Sequence, residues 1–115
     1  MTDILCNWLN QDVGLSAVVN RNNLSETLRN GYYIAEVLYK YGLQSDIQLF
    51  SPKKNTDAIM RNYAMLKPTL SRIGIDISPW LILEIKNGNH PQIRTLIYQL
   101  YIGIKKYIQR YVLFI

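Results

Sequence analysis

The sequence has a single cysteine, Cys6, and a single histidine, His90. One thiol excludes an intramolecular disulfide, and with it a secreted, stapled fold. One thiol and one imidazole cannot build a Cys/His zinc site. Glycine and proline are sparse and scattered, which excludes collagen-like and linker-like chains. Long apolar runs are missing too. The longest uncharged stretch, Thr95–Ile104, has ten residues, where a bilayer span needs roughly 20. The N-terminal stretch MTDILCNWLN carries Asp3 where a secretory signal carries Lys or Arg, and Asn7 and Asn10 break its apolar run. The expectation is a soluble, intracellular protein.

What remains suits one compact domain. The 115 residues are 49% hydrophobic and 18% charged, enough apolar matter to bury a core without a metal or a disulfide. The net charge is +5, unevenly spread. Residues 1–50 set Arg21, Arg29 and Lys40 against Asp3, Asp12, Glu26, Glu36 and Asp46. Residues 51–115 hold ten bases against Asp57, Asp76 and Glu84. A basic half suits an acidic partner, and it also suits a merely solubilising surface.

Between the turn-like breaks VVNRNN, YGLQSD, SPKKN, GIDIS and KNGNHP the apolar spacing is helical. Leu5, Trp8, Leu9 and Val13 follow the i, i+3, i+4 rhythm, with Thr2 or Asp3 as cap and Gly14 as stop. Ser25 is a cap candidate for a short turn with Leu24 and Leu28 inward. YYIAEVLYKYG places Ile34, Val37, Leu38 and Tyr41 on one side and ends at Gly42. After a cap at Asn55 or Thr56, Ile59, Tyr63, Leu66, Leu70 and Ile73 form a narrow stripe that Gly74 closes. Pro68 falls on the outer side of this segment, where it should kink the helix or split it near Tyr63–Lys67. Ser78 and Pro79 start PWLILEIKNG, apolar on most sides and so expected to be a buried central helix. The last helix is expected from Pro91 to about Tyr111. Ile93, Leu96, Ile97, Leu100, Ile104, Tyr107 and Tyr111 would be its inner stripe, with Lys105, Lys106 and Gln109 outside. ISPWLILEI could also be a strand, but its helix-start signal decides for helix; YVLFI stays open. The fold class is all-α, with five to seven helices. Trp8 is expected to anchor the core with Leu38, Tyr63, Leu66 and Leu100.

Chemistry finds little footing. His90 has only Glu84 as a carboxylate near in sequence, and Cys6 sits beside an apolar stripe, so a helix-start imidazole and an inert thiol are the simpler readings. No phosphate-binding glycine loop and no calcium loop occur. The expectation is no enzyme, no metal and no cofactor. The signal left is basic: Lys53 and Lys54 in a loop, Arg61 and Arg72 on one outer stripe, and Lys105, Lys106 and Arg110 on the last helix. A solvated helix face is the simpler explanation of any one of them; the imbalance between the halves keeps a partner-binding reading open. Apolar candidates for such a partner are Met65, Ile102 and the tail Val112, Leu113, Phe114 and Ile115.

ILCNWLN (Ile4–Asn10), LRNGYYIAEVLYKYGLQ (Leu28–Gln44), NYAMLKPTLSRIGI (Asn62–Ile75) and LIYQLYIGIKK (Leu96–Lys106) together resemble a calponin-homology domain. The similarity is to the ciliary type at the N-terminus of sperm flagellar proteins. Asn62, Leu66, Pro68-Thr69-Leu70 and Gln99-Leu100-Tyr101 are its more specific residues. The resemblance implies a bundle of four main helices plus short ones, spanning residues 1–115 as a single domain with its core at about 2–107 and an apolar tail at 108–115. It also implies a structural protein of the cilium or flagellum axoneme, in the cytoskeleton, that binds tubulin and microtubules or a neighbouring central-apparatus protein. No small-molecule substrate, nucleic acid or membrane is expected as partner. The alternative is a cytoskeletal adaptor that binds actin or a signalling protein through a single such domain.

Overall fold

A computed structural model describes residues 2–113, with side chains through Arg110. The apolar stripes of the sequence become six α-helices and two short non-α turns. These are α1 (Thr2–Asn7), running on into a π-helical turn (Trp8–Val13), then α2 (Leu24–Leu28), α3 (Tyr32–Lys40), a 3-10 turn (Ile47–Leu49), α4 (Thr56–Arg72), α5 (Pro79–Lys86) and α6 (His90–Leu113). No strand occurs among the described residues. The chain is all-α, as its periodicity requires.

The π turn is a packing solution. On a regular α-helix Trp8 and Val13 would point about 140° apart. The wider turn, with the Gly14 N–H bonding the Leu9 carbonyl five residues back, lets Trp8, Leu9 and Val13 all be buried. Gly14, at φ +72°, then ends the helix. Trp8 ties three helices together. Its ring meets Tyr101 of α6 edge-on at 5.0 Å, and its indole N–H donates to the Tyr41 hydroxyl just past α3 at 3.2 Å. Leu38, Tyr63, Leu66 and Leu100 are fully buried in the same core.

α4 keeps the narrow stripe read from the sequence, with Ile59, Tyr63, Leu66 and Leu70 buried and Ile73 partly so. Asn55 caps it, its side chain accepting the Ala58 N–H at 2.8 Å. Pro68 does not split it. The carbonyl that the missing N–H would have bonded belongs to Ala64, which is exposed, so water can take the bond. α6 packs against α1, α2 and α5 through Ile93, Leu96, Ile97, Leu100 and Ile104.

Four local expectations are corrected. α5 is not a buried central helix. Only Ile85 is buried, and Trp80 and Leu83 stay 58% and 46% exposed. Eight residues resting on α4 and α6 can cover just one side. Tyr107 leaves the inner stripe of α6 and is 37% exposed; past Ile104, the last fully buried residue of the helix, Ile108 rather than Tyr107 packs against the core. Ser25 does not cap α2. It lies inside that helix, and its hydroxyl sits 2.7 Å from His90 Nδ1 at the start of α6. Thr2 and Asp3 lie inside α1 rather than before it.

Candidate functional site

All but one of the basic side chains named from the sequence fall into two groups, each held by a definite local structure. The first surrounds the loop before α4. Asn62, fully buried on α4, accepts the Ser51 N–H at 3.0 Å and donates to the carbonyls of Asn30 and Ser51 at 2.9 and 2.8 Å. Asn30, also buried, donates to the carbonyls of Ser51 and Lys53 at 3.0 and 2.8 Å and accepts the Tyr32 N–H. Two buried amides therefore satisfy the backbone of the 51–53 loop. This fixes the path of the loop at Lys53 and leaves Lys53 and Lys54 exposed, with Arg61 exposed one turn into α4.

The second group lines an open groove of about 540 Å³ between the end of α4 and the outer face of α6. Arg72, Lys106 and Arg110 supply its charge. Ile73, Ile75, Tyr98, Ile102 and Tyr107 supply its apolar wall. Gly103 sets its floor, since a Cβ there would lie 3.2 Å from the Ile73 carbonyl oxygen. Arg72 donates to the Leu43 carbonyl at 3.0 Å, which steadies its side chain without neutralising it. Lys105 belongs to neither group. It sits 5.4 Å from the Tyr101 ring centroid, beside the Trp8 contact.

The electrostatics of the two chain halves differ. Among the described residues the ion pairs are Arg21–Asp3 at 3.1 Å and Arg29–Glu26 at 3.4 Å, both in the first half. Lys53, Lys54, Arg61, Arg72, Lys105, Lys106 and Arg110 are all exposed and none is paired with a carboxylate among the described residues. Their charge is available to a partner.

Of the apolar candidates, Ile102 lines the groove, and Met65 is half-buried against the core. Val112, Leu113, Phe114 and Ile115 lie outside the residues whose side chains are described. Tyr98 and Tyr107 are the groove residues that sequence reasoning missed. For Tyr98 the signal was there: Tyr98, Ile102, Lys106 and Arg110 recur every four residues along one face of α6, while Tyr107 lies outside that series.

The groups considered for catalysis are placed otherwise. Among the described residues no Asp or Glu bonds to His90, whose ring pairs with Ser25 alone. The Cys6 thiol is buried, and its pKa is raised by that burial first and by Asp3 second, with Arg21 partly opposing. A thiol so placed is a poor nucleophile. Tyr63 is fully buried and its phenol is pushed up by desolvation while it donates to the Arg29 carbonyl at 3.1 Å.

A family model described as the CH-like domain in sperm protein matches residues 5–102. The chain belongs to this family. Sperm flagellar protein 2 of Rattus norvegicus is 38% identical over 106 residues, that of Mus musculus 37% and that of Homo sapiens 32%. Each match covers 92% of this chain and 6% of the relative, so the chain spans a small fraction of the length of these relatives. No solved structure matches the chain. The CH-like assignment agrees with the resemblance carried by the Trp8, Asn30-Gly31 and Asn62 segments. It also gives the Asn30–Asn62 clamp a setting: those two motifs, far apart in sequence, meet in one buried hydrogen-bond network.

Proposed function

We propose that this CH-like domain is a non-enzymatic docking module of a flagellar structural protein, and that it attaches to an acidic surface of the axoneme. The surface is that of microtubules or of a neighbouring central-apparatus protein. The kinship to sperm flagellar protein 2 supports the flagellar setting. The observation that carries the docking reading is the set of exposed, carboxylate-free cations in residues 51–115. Exposed charges of this kind attract an acidic lattice over roughly a Debye length, about 8 Å at physiological salt, and they set partner choice and encounter rate more than raw affinity.

Cosedimentation with microtubules tests the reading. The bound fraction falls steeply as salt rises, and a Lys53→Glu, Lys54→Glu, Arg61→Glu variant pellets less while keeping its helical circular dichroism. Binding indifferent both to salt and to charge reversal contradicts an electrostatic dock.

A further inference from the structure

The groove between α4 and α6 differs from the rest of the basic surface in having shape as well as charge. From this we infer that it holds a short, extended, carboxylate-rich peptide segment of the partner, with one aromatic or aliphatic side chain inserted against Ile102. The inference rests on the docking reading and narrows it to one site and one ligand chemistry.

Three features point the same way. The first is charge: Arg72, Lys106 and Arg110 line the groove, and among the described residues no carboxylate does. The second is spacing. Lys106 and Arg110 stand one turn apart on α6, with Cβ atoms about 6 Å from each other. Alternate side chains of an extended peptide lie about 6.8 Å apart on one face, so two acidic residues of such a segment meet the two cations in register. The third is the apolar wall. Ile73, Ile75 and Ile102 flank the Gly103 floor, where the missing side chain lets the Ile73–Ile75 segment pack close against α6. A volume of about 540 Å³ suits a few residues rather than a folded domain.

A nucleic acid fits less well. Tyr98 and Tyr107 are nine residues apart on α6, roughly 14 Å along its axis, too far to sandwich one base between them.

The test is fluorescence anisotropy on the 115-residue chain with a labelled peptide Glu-Glu-Glu-Phe-Glu-Glu-Glu, beside its Gln-for-Glu counterpart. The acidic peptide binds and the neutral one does not. A Lys106→Glu, Arg110→Glu variant weakens binding by about tenfold or more, the sum expected for two reversed exposed pairs. Lys53→Glu, Lys54→Glu carries the same charge change in the loop and leaves peptide binding within about threefold of the parent. Tyr107→Ser, which leaves net charge unchanged, also weakens binding. Equal loss in the groove and loop variants means diffuse attraction and overturns the groove as a site. Tighter binding of a single-stranded oligonucleotide than of the peptide overturns the ligand assignment. Salt-sensitive microtubule binding without any peptide binding sinks the groove inference alone; loss of both sinks the docking reading with it.

Discussion

Asn62 on α4 donates its side-chain N–H to the backbone carbonyl of Asn30 at 2.9 Å, and both side chains converge on the carbonyl of Ser51. This buried junction joins the turn before α3, the loop before α4 and α4 itself. It also anchors the backbone that carries Lys53.

Asn62→Leu keeps the volume nearly constant and removes all three bonds. The Asn30 carbonyl then lacks a partner in a buried place and the Ser51 N–H in a half-buried one, at about 1–3 kcal/mol each. Urea unfolding should show a loss of about 3 kcal/mol. A change under 1 kcal/mol would mean that water replaces the amide.

Gly31, next to that junction, has φ +89°, and a Cβ there would lie 3.2 Å from side-chain atoms of both Tyr63 and Leu66. Gly31→Ala combines left-handed backbone strain of about 1–2 kcal/mol with overpacking. Gly42→Ala has a positive φ but open space around it, so it should cost less. Thermal melts of the two variants check the order; a reversal would place the strain elsewhere.

Trp8→Ala removes the packing on Tyr101 and the bond to Tyr41 from a buried site. It should cost about 3–5 kcal/mol, a large part of the stability of a domain this size. A melting curve close to the parent's would refute the role given to Trp8.

Tyr63 supplies a pH test. Its folded-state pKa is raised by burial above the ordinary value near 10. The stabilisation is therefore fully present below about pH 10 and declines as pH rises further, since only the unfolded state loses the proton readily. Tyr63→Phe costs about 1 kcal/mol at neutral pH through the lost bond to Arg29. Its unfolding free energy should then fall less steeply above pH 10 than the parent's. Parallel alkaline curves would assign the decline to other groups.

Much of this architecture can be read locally. The Asn55 and Ser78 caps, Pro79 at a first turn, and Gly14, Gly42 and Gly74 at helix ends are short-range choices. The stripe Ile59–Ile73 is long enough for its period to speak. What failed depends on neighbours. α5 is apolar on most sides, so its sequence does not say which side is covered, and Trp80 ended outside. Tyr107 continues the α6 rhythm, but at that level of the helix Ile108 meets the core instead. The π turn exists because Trp8 and Val13 must share a side. The cations of the groove were visible as charges. Their meeting across Gly103 was not, because it depends on how α4 and α6 pack rather than on either helix alone.

The length of α6 has a mechanical consequence. The helix is locked in the core through Ile93, Ile97 and Ile104, with Ile108 packed more loosely against it, while Arg110 lies beyond the last of these contacts. From Ile93 to Arg110 is about 26 Å of one unbroken helix. A load applied at Arg110 therefore acts as a torque on the whole globule through a stiff arm, with Trp8 and Tyr101 near the fulcrum. A partner gripping that arm would set the heading of the domain as well as its position.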